Sequence, residues 1–187
     1  MKNNLIIGFI CLACIQIAAP ISMIAGREAI LKNGEQFRFK TKPVDPYDAF
    51  RGRYVALSVK ESVFKLPKGL DKREITRGSD VYAIISLDNQ GYAVFSELAK
   101  ARPKSGAYIK TKVRYVAGGD AYLDLPIGRY YMEEKRAPQA EQLYREHSRR
   151  QAEDAYVVVR VKDGDVAIES LYVGGKRIED ALKDSGK

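Results

Sequence analysis

Apolar and polar positions alternate along most of this chain. "EQFRFKT" at residues 35–41 and "YVALSVK" at 54–60 each read as a strand with one buried face. "DVYAIISL" at 80–87 and "YAVFSEL" at 92–98 flank Asp88-Asn89-Gln90-Gly91, which predicts a hairpin with a four-residue turn. "YIKTKVRYV" at 108–116 alternates cleanly. Near the C-terminus "AYVVVRV" and "VAIESLYV" are joined through Asp163-Gly164. Asp-Gly suits a type I′ turn, in which both central residues take positive φ. Gly174-Gly175 predicts a second tight turn leading into Lys176, Arg177 and Ile178. Helical period emerges at one place in the polar part of the chain, residues 138–152. There Ala140, Leu143, Tyr144 and His147 share a face, and Pro138 suits the first turn. The expectation is a mainly β fold, α+β at the margin. It is an antiparallel meander or barrel-like domain with one amphipathic helix.

Residues 5–26, "LIIGFICLACIQIAAPISMIAG", break the alternation with an uncharged run. Its length matches the roughly 20 residues needed to cross a bilayer. The rival is a cleaved signal peptide, but the small-x-small rule fails at the plausible sites. Cleavage after Ala19 meets Ile17, and cleavage after Ala25 meets Met23. A lipoprotein reading through Cys14 has Cys11 where leucine is preferred. The division expected is an uncleaved transmembrane anchor at 1–26 and a single domain at 27–187. Basic residues are denser after the run than before it, so the positive-inside count does not by itself export the domain. A single N-terminal anchor nevertheless carries a long domain across largely regardless of its charge.

Composition narrows the picture further. About 160 residues beyond the apolar run suit one domain with a real core. The richness in Tyr, 12 residues, and in Val leans towards strands. Both cysteines, Cys11 and Cys14, lie in the apolar run, so no disulfide or Cys-ligated metal site belongs to the rest. Net charge is +8, with 13 basic against 7 acidic residues over 27–77 and 6 against 1 over 97–118. No RNP, helix-turn-helix or zinc signature accompanies that charge, so no nucleic-acid partner is expected. Lipid head groups or plain solvation account for the basic surface. Nothing implies a cofactor.

The densest stretch is "PVDPYDAFRGRYVALSV", residues 43–59. One reading is structural: Asp45 caps a turn begun by Pro46, Asp48 sits three residues on, and Gly52 lets the chain leave with positive φ. Tyr54, Ala56 and Ser58 then face one way and Val55, Leu57 and Val59 the other. The other reading makes Asp45, Asp48 and Arg51 a site, where carboxylates share a proton or cation and the arginine holds an anion. Ser58 and Lys60 share a strand face as a nucleophile–base pair would. His147, the single histidine, stands on the helix face.

This stretch resembles the signature of the GDYXXLXY domain family, Gly-Asp-Tyr-x-x-Leu-x-Tyr. Gly52, Tyr54 and Leu57 match; Arg53 replaces the aspartate and Val59 the last tyrosine. Pro43-Val44-Asp45-Pro46, Asp48 and Phe50-Arg51 fit the approach to that motif. "IGRYYMEE" resembles the family's Arg-Tyr-aromatic-x-x-Glu through Arg129, Tyr130, Tyr131 and Glu134, and "SLYVGGK" its C-terminal hairpin. The resemblance implies a single-pass protein of the cytoplasmic membrane with an extracytoplasmic domain, found alongside polytopic membrane proteins. Its implied role is non-enzymatic binding or assembly of such a partner. The alternative is a cell-envelope enzyme or small-ligand binder using the Asp, Arg and Glu side chains of "DPYDAFRG" and "RYYMEE". Arginine at position 53 fits a salt-bridge or surface role better than acid–base chemistry.

Overall fold

Alternation in the sequence becomes alternation in burial. The computed structural model describes residues 2–42, 54–66, 75–148 and 153–185. Helix α1 (Lys2–Asn33) carries the apolar run, and residues 6–33 are long and apolar enough to cross a membrane. Strand β1 (Glu35–Lys40) follows, burying Phe37 and Phe39 while exposing Gln36 and Arg38. Then come β2 (Tyr54–Ala56), a 3-10 turn at Lys60–Ser62, β3 (Val63–Lys65), β4 (Asp80–Leu87) and β5 (Ala93–Ala99). They are followed by β6 (Tyr108–Ala117), β7 (Asp120–Leu123), β8 (Arg129–Tyr131) and helix α2 (Ala137–Ser148). The C-terminal part is β9 (Tyr156–Lys162), β10 (Asp165–Val173), β11 (Lys176–Arg177) and helix α3 (Ile178–Ser185).

All strand pairs among the described residues are antiparallel, in the orders β1-β9-β10-β11, β3-β7-β6-β4-β5 and β2-β8. The two larger sheets meet at two places and make a nearly closed, barrel-like arrangement. At one place the Phe39 and Phe95 rings are 5.8 Å apart, and Lys40 hydrogen-bonds Gln90. At the second place the Lys110 amide of β6 donates to the Gly164 carbonyl, in the turn between β9 and β10, at 2.9 Å. The main core fills the interior with Phe37, Phe39, Ile109, Val157, Val159 and Leu171, and α2 and α3 close it with Tyr144 and Ile178. Each such side chain contributes about 1.5–3 kcal/mol of burial.

The 80–98 hairpin, the 108–116 strand and the Asp163-Gly164 hairpin stand as expected. Asp88 Oδ1 accepts from the Gln90 and Tyr92 amides and so builds the first turn. Asp163 and Gly164 have φ of 55° and 92°, and Gly174 and Gly175 have 55° and 76°. Other expectations are corrected. The strand expected at 54–60 ends at Ala56, where a lone bridge from Val59 to Thr41 and the 3-10 turn take over. The helix expected at 138–152 stands as α2 over 138–148, and residues 149–152 lie outside the described residues. A second helix in the domain, α3, places Ile178, Ala181 and Leu182 on the core.

The last turn of α1 is tied to the domain. Ala29, Ile30 and Leu31 are partly buried, the helix end packs on β9 and β10, and Arg160 Nη1 donates to the Gly34 carbonyl at 3.2 Å. The helix therefore runs past Gly26, where the uncharged run ends, and meets the sheet without an intervening linker.

Candidate functional site

The two motif segments, far apart in sequence, pair directly. Strand β2 lies antiparallel to β8 with Tyr54 opposite Tyr131, Val55 opposite Tyr130 and Ala56 opposite Arg129. The Leu57 amide extends the ladder to the Gly128 carbonyl at 2.9 Å. Period two then sorts the side chains onto two faces. Val55, Leu57 and Val59 go into the core. Tyr130 points the same way and donates its hydroxyl to the Glu179 carboxylate on α3. Burial, and then that hydrogen bond, push the Tyr130 hydroxyl pKa well above its usual value.

The opposite face carries Tyr54, Arg129 and Tyr131. The two tyrosine rings meet edge to face at 5.6 Å, and the Arg129 guanidinium lies 5.2 Å from the Tyr54 ring centre. Tyr131 is 64% exposed, a large aromatic on the surface. Aromatic and cation–π contacts of this kind are each worth about 0.5–1.5 kcal/mol and hold the group in one arrangement.

Helix α2 packs on β2, and the Tyr144 hydroxyl donates to the Lys42 carbonyl at 3.1 Å. The Lys42 amide in turn reaches the Ser58 carbonyl at 2.8 Å. Asp45, Pro46, Asp48, Arg51 and Gly52 lie outside the described residues, so their capping or site roles rest on sequence. Glu134 is exposed in the turn after β8. Ser58 and Lys60 are no nucleophile–base pair, because Lys60 Nζ is held by Glu153 at 2.9 Å. His147 is engaged structurally: Nδ1 lies 2.8 Å from Asp154 Oδ1, and the ring packs against Gly174.

Two features beside the paired strands had no signal in the sequence pattern. Glu61, in the 3-10 turn, has an Oε2 without a hydrogen-bond partner among the described residues, and burial pushes its carboxyl up to about 7. Its own amide, Lys60 and Lys40 pull the other way, and Asp88 adds to the rise. A pocket of about 290 Å³ lies between residues 57–59 and the β6–β7 hairpin. It is walled by the stacked Tyr115 and Tyr122 rings, 4.2 Å apart, and edged by Lys42 and Arg114. Arg114 is paired with Asp124 at 3.0 Å. Among the described residues no three His, Cys, Asp or Glu side chains gather as a metal site would.

The paired strands present an aromatic–guanidinium surface on a β scaffold. The family model for the GDYXXLXY protein matches residues 16–171, which span both paired strands. No curated protein and no solved structure matches the chain.

Proposed function

This chain belongs to the GDYXXLXY protein family, and from that premise we propose that it is a membrane-tethered, non-enzymatic binding or assembly subunit. In this reading α1 crosses the cytoplasmic membrane once, and the β domain lies outside the cytoplasm. The outer face of β2–β8 docks on a polytopic membrane partner. One observation carries the reading: the motif residues divide cleanly by face. Val55, Leu57 and Tyr130 hold the scaffold, and Tyr54, Arg129 and Tyr131 are presented at its surface. Tyrosine and arginine are the residue types enriched where interfaces concentrate their energy. Truncating such an anchor costs 2 kcal/mol or more, about thirtyfold in affinity.

The test is affinity purification of the full-length protein from membranes in mild detergent. The expected result is a stoichiometric polytopic partner that is lost from the Tyr131→Ala and Arg129→Glu variants while the melting temperature falls by only a few degrees. Recovery of the wild-type chain alone, at amounts where a partner would be visible, contradicts the proposal. A small-ligand function would instead show as a melting-temperature rise with a compound that fills the pocket beside Tyr115 and Tyr122.

A further inference from the structure

An open cleft lies elsewhere, between the 102–107 loop and the β9–β10 turn. It has a volume of about 480 Å³ and is lined by Glu35, Arg102, Lys104, Tyr108, Asp163 and Gly164, among others. Both signs of charge are present. Arg102 Nη2 holds Asp163 Oδ1 at 2.8 Å, and its guanidinium lies 5.8 Å from the Tyr108 ring centre. Four of the five guanidinium N–H donors are left over from that bond. Lys104 is exposed and has no ion pair among the described residues, and the same holds for Lys110 and Lys162 nearby in the chain. Tyr108 is only 7% exposed, yet its hydroxyl has no hydrogen-bond partner among the described residues. Buried hydroxyls are normally satisfied.

The position of the cleft is set by α1. Glu35, one of its walls, is two positions beyond Asn33, the last residue of the helix. The uncharged run ends at Gly26, and the helix from Arg27 to Asn33 rises about 10 Å. Head groups add about 5–8 Å to each side of the hydrocarbon layer. Whichever way the domain leans, that wall of the cleft therefore stands within a few ångströms of the head-group layer when α1 spans a bilayer.

From this placement we infer that the cleft takes the head group of a zwitterionic phospholipid: a phosphodiester beside a primary ammonium, as in phosphatidylethanolamine. The inference rests on the membrane-spanning reading of α1. Lys104 and the spare donors of Arg102 meet the phosphate, and the Glu35 carboxylate meets the ammonium. The volume lies within the 300–1,000 Å³ range of small-molecule sites.

The sequence has no tryptophan, so Ser105→Trp in the full-length chain gives a single fluorescent reporter at the rim. The protein is titrated in an uncharged detergent with glycerophosphoethanolamine, glycerol 3-phosphate and inorganic phosphate. Saturable emission change with glycerophosphoethanolamine is expected, and Lys104→Ala weakens it at least tenfold. Glu35→Gln weakens it several-fold while leaving glycerol 3-phosphate unaffected, and Lys65→Ala, on β3, changes nothing. Inorganic phosphate binding as tightly as glycerophosphoethanolamine overturns the lipid assignment in favour of a free-phosphate site. The absence of saturable change with all three compounds overturns the cleft itself. Carbonate extraction of membranes bearing the same protein reads the membrane placement separately. A chain that is released by carbonate but still binds glycerophosphoethanolamine removes the lipid as the source.

Discussion

Two side chains make the scaffold testable one residue at a time. Tyr130 joins β8 to α3 through Glu179, across a stretch of sequence that no local pattern connects. A hydrogen bond to a charged group contributes about 1.5–3 kcal/mol when buried, and less at this half-buried site. Tyr130→Phe is expected to cost about 1 kcal/mol and lower the melting temperature by roughly 2–4 °C for a domain of this size. Combining it with Glu179→Ala should add little beyond the larger single effect, because both remove the same bond. Additive losses in a thermal melt contradict the link. Glu61 makes a pH prediction. Its folded pKa of about 7 stands above the ordinary 4.5, so the folded state holds a proton that the unfolded state has released. Its contribution is fully present below pH 4.5 and is lost as pH rises through 7. Glu61→Gln, which cannot ionise, should therefore melt a few degrees above wild type at pH 8 and match it near pH 4. A difference that is the same at both pH values sinks the explanation.

Among the elements, the turns differ in what a side chain would meet. Gly164 has φ 92°, and a Cβ there would lie 2.7 Å from Tyr108 Cε2. Gly118, in the β6–β7 turn, has φ 63° with open space around it. Gly164→Ala is thus expected to cost roughly 2 kcal/mol or more, against about 1 for Gly118→Ala, which meets the backbone cost alone. Equal melting temperatures for the two variants contradict the packing of Tyr108 under the turn. The same elements show what could be read in advance. Long alternating strands and the Asp-Gly and Gly-Gly turns were legible, because period two and positive φ leave local marks. Short pieces were not: β3, β7 and β8 are three or four residues long, too few to establish a period. Helix α3 did carry a signal, with Ile178, Ala181 and Leu182 at i, i+3 and i+4, but it spans only eight residues directly after a turn. The pattern in β10 also breaks at a bulge beside Glu169, which faces Arg160 at 2.6 Å and Gln36 at 3.0 Å. The pairing of β2 with β8 is a long-range choice that the sequence does not spell out. Both motif segments were found as motifs, and their apposition belongs to the fold. Glu61 and the two clefts were invisible for the same reason.

At the scale of the whole molecule, a long apolar helix enters a β domain without a flexible joint. Tyrosine, arginine and lysine side chains stand on several of the domain's outer faces. If α1 anchors the chain, the full-length protein should remain in the membrane pellet after carbonate washing. A C-terminal alkaline-phosphatase fusion should then be active, and an active cytoplasmic reporter at the same point would reverse the topology. The proposed docking face is tested most directly by site-specific photo-crosslinking in intact cells. A benzophenone amino acid replaces Tyr131 in one strain and Lys112, exposed on β6, in another. The account predicts one discrete adduct with a membrane protein from position 131 and none from position 112. Efficient incorporation at 131 without an adduct, or the same adducts from both positions, would contradict it.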